Sequence, residues 1–203
     1  MQVDGRLKSD SAVMVLHPER PSVEGMNREI SSQLDNSEAI RPSKGLLVAV
    51  CSTPPITKGL RTLNRLAMAQ DILGFNELAV ANIFGLPTRS TGDIAHLGIN
   101  AEPWLNSRFD LEQQIMRADG IVLAYGTSAP SGPARQHWNA QVEWLLSLVY
   151  DRQVPSWSVN GETRHPSRWQ RHTHRQSPDL PFKEALALAF RSHSTSRVAP
   201  QPT

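Results

Sequence analysis

Short, continuous apolar runs alternate along the chain with longer stretches in which apolar residues recur at helical spacing. An apolar run without polar alternation is typical of a strand that is covered on both faces. The runs that predict strands are Leu46–Cys51, Leu78–Phe84 and Ile121–Tyr125, and Ser156–Val159 predicts a fourth, weaker strand. The stretches that predict helices are Lys58–Leu73, Phe109–Ala118, Ala134–Val149 and Lys183–Phe190. Because strands and helices alternate, we expect a three-layer αβα sandwich around a four-stranded, mainly parallel sheet.

These elements occupy only part of the 203-residue chain. Residues 1–44 mix charges of both signs with Ser, Asn and Pro and carry few apolar residues, a composition that favours disorder. We therefore expect a disordered leader at 1–44, a single α/β domain at 45–190 and a frayed tail at 191–203. Within the domain, residues 85–106 and residues 164–174 predict loops.

The composition excludes several classes of protein. Cys51 is the only cysteine, so no disulfide can form within the chain, and its apolar surroundings predict a buried, unreactive thiol. No apolar run approaches the roughly 20 residues of a membrane-spanning helix. The first residues lack the apolar segment of a secretory signal. These features predict a cytoplasmic protein without a membrane partner.

Charge is unevenly distributed along the chain. Residues 1–150 carry 13 Lys and Arg against 15 Asp and Glu, whereas residues 151–203 carry 8 against 4 together with four His. A basic, histidine-rich segment beside a near-neutral body favours a polyanionic partner such as nucleic acid. A solvated basic tail with no such partner is the alternative explanation.

Polar residues follow the first two predicted strands, at the sheet edge where open α/β folds bind ligands. The amide of Asn82 offers one acceptor and two donors to the edge of a planar heterocycle, and Arg89, with three hydroxyls nearby, suits a phosphate or carboxylate. The hydroxyls of Ser52 and Thr53 can hold an anion or a water. Ordinary capping of a strand end and of the next helix accounts equally well for these residues.

The densest cluster of functional residue types lies between residues 164 and 172, with three arginines, two histidines and a tryptophan. Arginine neutralises phosphate, and an exposed aromatic ring can stack on bases or wedge between them. A histidine held beside a ligand oxygen can stabilise developing negative charge. This segment therefore predicts a nucleic-acid contact, and the alternative is a basic surface loop with a half-buried Trp169. After the third strand, Tyr125 offers a ring for stacking and Gly126 allows close approach of backbone.

No cofactor and no metal site are predicted. The chain lacks the GxxxxGK[ST] phosphate loop and has no GxGxxG after a strand. His165, His172 and His174 lack accompanying Cys or carboxylate ligands at a recognisable spacing.

The strand ends and loops together resemble a bacterial family known as domain of unknown function 1643, over about residues 46–182. The resemblance rests on VANIFGLPTRST at 80–91, AEPWL at 101–105, DGIVLAYG at 119–126 and Arg-His-Pro at 164–166. The same arrangement is similar to the uracil-DNA glycosylase superfamily. Members of that superfamily are four-stranded αβα sandwiches that flip a base out of DNA and cleave its glycosidic bond.

The resemblance to the glycosylases implies a role for each matched residue. Asn82 would read the edge of the flipped base, and His165 would hydrogen-bond a base oxygen as negative charge develops on the leaving group. The other implied contacts are stacking on the base by Tyr125 or Phe84, phosphate contacts by Ser167, Arg168 and Arg171, and a wedge at Trp169.

The first motif departs from the glycosylase pattern. Those enzymes usually place an Asp, Asn or Glu near a proline, whereas this chain reads Cys51-Ser52-Thr53-Pro54 and leaves Ser52 and Thr53 as the candidate catalytic groups. A hydroxyl can position water but is not a general base near neutral pH. Asp93 or Glu102, in the predicted long loop, could supply the missing carboxylate.

Three functional hypotheses follow. The first is a DNA-acting N-glycosylase-like enzyme that hydrolyses the glycosidic bond of a flipped or modified base. The second is a non-catalytic nucleic-acid or nucleotide-binding module on the same scaffold, which the missing carboxylate favours. The third is an enzyme of free nucleosides or nucleotides, although a basic segment with a tryptophan favours a polymer over a monomer.

Overall fold

The computed structural model describes residues 44–56 and 58–193 as an α/β fold. The strands are β1 (Lys44–Cys51), β2 (Phe75–Asn82), β3 (Gly120–Ala124), β4 (Ser156–Val159) and β5 (Phe190–His193). The helices are α1 (Leu60–Leu73), α2 (Thr91–Leu97), α3 (Glu102–Arg117), α4 (Ala134–Arg152), α5 (Pro166–Gln176) and α6 (Phe182–Ala189). None of these described helices is long and apolar enough to cross a membrane.

The strands form one sheet in the order β2-β1-β3-β4-β5. The first four strands are parallel, so their carboxyl ends lie along the same edge, and β5 pairs antiparallel with β4 at the far side. The predicted α/β class and the mainly parallel sheet are confirmed. The predicted strand number is wrong, because Phe190–His193 adds a fifth strand where the chain was expected to fray.

Helices cover both faces of the sheet, as a three-layer sandwich requires. On one face α1, α5 and α6 pack on β1 and β3 through Leu66, Trp169 and Leu186. On the other face α3 and α4 pack through Ile115 and Leu145. All five residues of β3 are buried, which explains the continuous apolar run in its sequence.

The end of the second predicted strand and the predicted loop at 85–106 differ from the structure. The second strand ends at Asn82 rather than at Phe84, although the N–H groups of Ile83 and Phe84 still donate to the carbonyls of Cys51 and Ser52, both at 3.0 Å. The predicted loop at 85–106 contains α2 and the start of α3. Ser90 caps α2, and a proline occupies the first turn of α3, where proline is well accommodated.

The predicted basic loop at 164–174 is also wrong, because most of it is the helix α5. His165 is the residue that caps this helix, and Pro166 follows at its first position, where proline is well accommodated. The predicted leader at 1–44 lies outside the described residues apart from Lys44, and so does the predicted tail beyond residue 193.

Gly120 lies at a close contact between aromatic rings on the sheet. The rings of Phe75 on β2 and Trp157 on β4 meet edge to face there, with their centroids 5.8 Å apart. A Cβ at residue 120 would collide with the ring of Phe75 and would lie 2.9 Å from Trp157 Cζ3. Only glycine lets the two rings meet across the start of β3.

We expect Gly120→Ala to lower the free energy of unfolding by roughly 1–3 kcal/mol, the usual cost of overpacking a core. Urea denaturation would measure the change. Gly92→Ala is the matched control, because its Cβ would have an ordinary contact of 3.4 Å in a helix, where alanine is preferred over glycine. Equal stability of the two variants would contradict the packing described for Gly120.

Candidate functional site

The carboxyl ends of β1 to β4 surround a cavity of about 550 Å³, which we call the central cavity. Hydroxyl groups from the loops after β1, β2 and β3 line it, and Tyr125 and Gly126 lie at the end of β3. Three arginines, Arg89, Arg164 and Arg168, contribute positive charge. None of the described residues that line the cavity is acidic, so it is suited to an anionic ligand.

Hydrogen bonds between loops hold the walls of the central cavity in place. Thr88 Oγ1 donates to Thr53 Oγ1 at 3.1 Å and joins the loops after β1 and β2. Thr163 Oγ1 donates to the carbonyl of Gly126 at 2.6 Å, and the Gly126 N–H donates to the carbonyl of Thr163. Gly126 has a φ of 99°, a conformation that other residues rarely adopt, so this pairing requires glycine.

The hydrogen bonds of His165 indicate which of its ring nitrogens carries a proton. Its Nδ1 accepts a hydrogen bond from the backbone N–H of Ser167 at 3.3 Å and lies 2.9 Å from Ser167 Oγ. Because a backbone N–H can only donate, this contact favours the tautomer without a proton on Nδ1. In that tautomer the neutral ring has its proton on Nε2, and this N–H is the donor that His165 can offer to a ligand.

The environment of His165 favours the neutral ring. Burial lowers its pKa, and the nearby guanidinium groups of Arg168 and Arg65 lower the pKa further. At neutral pH the side chain is thus an uncharged hydrogen-bond donor in a cationic cavity.

Arg164 lies next to His165 and reaches the same cavity. Its Nη2 forms an ion pair with Glu162 at 2.6 Å, whereas its Nε is buried and has no hydrogen-bond partner among the described residues. An unpaired buried donor is costly, and such groups concentrate where function requires them.

The structure brings eight of the twelve predicted site residues together at the central cavity. They are Ser52, Thr53, Arg89, Tyr125, Gly126, His165, Ser167 and Arg168. The four that do not line it are Asn82, Phe84, Trp169 and Arg171.

Trp169 does not have the position that a wedge between bases requires. Its side chain is completely buried, its Nε1 donates to the carbonyl of Arg164 at 2.7 Å, and its ring packs edge to face on Phe190. The ring supports the loop that carries Arg164 and His165 from below. The wedge role therefore does not fit the structure, because no part of the ring is free to enter a base stack.

Phe84 also differs from its implied role, whereas the role of Asn82 stays a prediction. The ring of Phe84 is fully buried 4.6 Å from that of Trp104, so it is not available to stack on a base. Asn82 closes β2 beside Cys51 of β1, and its Oδ1 is buried without a hydrogen-bond partner among the described residues. Arg171 is exposed on α5, away from the central cavity.

The two acidic residues considered as substitutes for the missing carboxylate do not line the cavity. Asp93 accepts hydrogen bonds from the Arg89 N–H and the Ser90 hydroxyl in the first turn of α2. Glu102 begins α3 and is exposed. Cys51 is buried, as predicted, and burial raises the pKa of its thiol to about 12.

Thr88, Thr127 and Ser128 also line the cavity, although none of them was predicted individually as a site residue. Arg164 lines it too, and it was predicted only as one of three arginines in the basic segment. All four lie in loops that follow parallel strands, the edge of the sheet where open α/β folds bind ligands.

Comparisons of the chain with family models, with curated proteins and with solved structures found no match. Across the part of the chain that the structure describes, no three His, Cys, Asp or Glu residues group as they would around a metal ion. The resemblance to the glycosylases remains a prediction from the motifs.

We expect the free energy of unfolding to fall as the pH is lowered from 7.5 to 5.5. Burial lowers the pKa of His165, His172 and His193 in the folded chain, so the unfolded chain takes up protons first, below about 6.5. Urea denaturation at several pH values measures the slope.

His165→Ser tests the contribution of one histidine, because serine keeps the helix cap but cannot titrate. The variant should show a shallower pH dependence than the unsubstituted chain. Identical slopes would contradict the lowered pKa of His165.

Proposed function

We propose that this chain binds one nucleotide of a nucleic acid, most simply DNA, with its base extruded from the stack into the central cavity. The observation that carries the proposal is a neutral His165, with its proton favoured on Nε2, in a cavity with three arginines and no acidic residue among the described lining residues. Arginines hold phosphates, and a neutral donor recognises a base oxygen. The motif resemblance to the uracil-DNA glycosylase superfamily supports the same ligand.

The reaction that such a site supports is hydrolysis of the N-glycosidic bond. The bond between C1′ and the base nitrogen breaks, its electron pair leaves with the base, and a water oxygen bonds to C1′. The base oxygen becomes more negative as the bond breaks, so an N–H donor from His165 stabilises the transition state more than the ground state. The hydroxyls of Ser52 and Thr53 would position the water, whose proton passes to the released base or to solvent.

Binding without hydrolysis is the second candidate. It is favoured by the absence of a carboxylate among the described residues that line the cavity, because a hydroxyl cannot act as a general base near neutral pH. Both candidates share the extruded base, the phosphate contacts and the donor on His165.

Base release separates the two candidates. We expect the full chain to form abasic sites, revealed by alkali, in DNA that contains uracil, hypoxanthine or a modified cytosine. His165→Ser should reduce the rate roughly 100-fold or more, the usual effect of removing one donor to a developing anion.

The matched control for base release is His96→Ser, which changes an exposed histidine of α2 outside the cavity. Its rate should equal that of the unsubstituted chain. Absence of abasic sites on every substrate, with DNA binding retained, would reject the glycosylase in favour of the binding module.

Binding to single-stranded DNA should weaken as the salt concentration rises, because arginine contacts to phosphates release counterions. Arg168→Ala should reduce the slope of log affinity against log salt by about one. Arg117→Ala, at an exposed arginine of α3, is the control and should leave the slope unchanged. Nearly salt-independent binding of a mononucleotide would instead support an enzyme of free nucleotides.

A further inference from the structure

A second cavity of about 480 Å³, which we call the flank cavity, lies between α1, α5 and α6. Ser167 lines both this cavity and the central cavity, so only the first turn of α5 separates them. The two cavities are therefore neighbouring compartments on either side of one helix end.

Arg65 fixes positive charge at the flank cavity. Its Nη1 donates to the carbonyl of Pro166 at 2.9 Å, and its Nη2 donates to Gln170 Oε1 at 3.0 Å. Its guanidinium carbon also lies 5.8 Å from the centre of the Phe182 ring. These contacts connect α1 to the first turns of α5. They also hold the Arg65 guanidinium beside the Phe182 ring.

The remaining lining combines the two chemical features of a nucleotide site. Arg171 and His174 extend the basic side along α5, while Phe182 and Leu180 supply an apolar wall. None of the described residues that line the cavity is acidic. Phosphate suits the basic side, and a base can stack on an aromatic ring irrespective of its identity.

We propose that the flank cavity binds the nucleotide next to the extruded one on the same strand. The nucleic-acid strand would cross the first turn of α5, with one nucleotide in each cavity and the intervening phosphate near Ser167. This inference rests on the proposed function, and it defines the ligand as a strand of at least two nucleotides rather than a free nucleotide. It also gives Arg171 a phosphate contact that the central cavity does not provide.

Fluorescence anisotropy of the full chain with labelled single-stranded DNA tests the inference. The probes are a mononucleotide, a hexanucleotide of mixed sequence, and a hexanucleotide of the same length with abasic units. We expect Arg171→Ala and Phe182→Leu each to weaken hexanucleotide binding about five-fold or more and to leave mononucleotide binding unchanged. Thermal unfolding monitored by circular dichroism identifies any variant that fails to fold, and the remaining variant then carries the test.

Arg175→Ala is the matched control, because it removes the same charge from the same helix at an exposed residue outside both cavities. It should change hexanucleotide binding less than two-fold. Equal weakening by Arg171→Ala and Arg175→Ala would show a general electrostatic effect and would overturn the inference. Equal affinity for the normal and abasic hexanucleotides would also overturn the inference, because that result would exclude stacking of a base on Phe182.

His165→Ser distinguishes failure of this inference from failure of the proposed function. If His165→Ser weakens hexanucleotide binding while Arg171→Ala does not, the central cavity binds a nucleotide and the flank cavity does not. If the unsubstituted chain binds none of the three probes, both proposals fail. Preferential binding of an acidic peptide at Arg171 would assign the flank cavity to a protein partner and reject this inference.

Discussion

The hydrogen bond from the Ser167 N–H to His165 Nδ1 is the interaction on which the proposed site depends. It caps α5 and so begins the helix that separates the two cavities. It also favours the imidazole tautomer with its proton on Nε2, which makes His165 a donor rather than an acceptor. Burial and the neighbouring arginines keep the ring neutral, so one local contact defines both the helix start and the chemistry offered to a ligand.

Contacts from α5, from α1 and within the loop after β4 hold His165 in position. Trp169, one turn into α5, is buried under the site and donates to the carbonyl of Arg164. Arg65 reaches across from α1 to the carbonyl of Pro166, and Thr163 joins the loop after β4 to Gly126. These contacts connect the loops and helices that carry the cationic groups of both cavities.

Much of the fold was predictable because most of the parallel strands contain a short apolar run, as in Ile121–Tyr125. Eight site residues were predictable for the related reason that parallel strands bring their following loops to one edge. The helix α5 was not, because a basic stretch whose only large apolar residue is Trp169 resembles a loop until His165 is seen to act as a cap. Trp169 was misassigned because an aromatic residue among arginines predicts exposure, whereas burial depends on α5 packing over the sheet. The antiparallel pairing of Phe190–His193 depends on contacts with β4, which local sequence does not encode.

Amide NMR of the isotope-labelled chain, titrated with a short single-stranded DNA, would show whether a nucleotide strand binds at the central cavity. We expect saturable shifts that concentrate on the loops around the central cavity, including the amides of Thr53, Gly126 and Ser167. Amides at the opposite end of the sheet, such as those of Phe75 and Ile121, should stay unchanged. Absence of saturable shifts, or shifts confined to surfaces away from the carboxyl ends of the strands, would contradict binding at the central cavity.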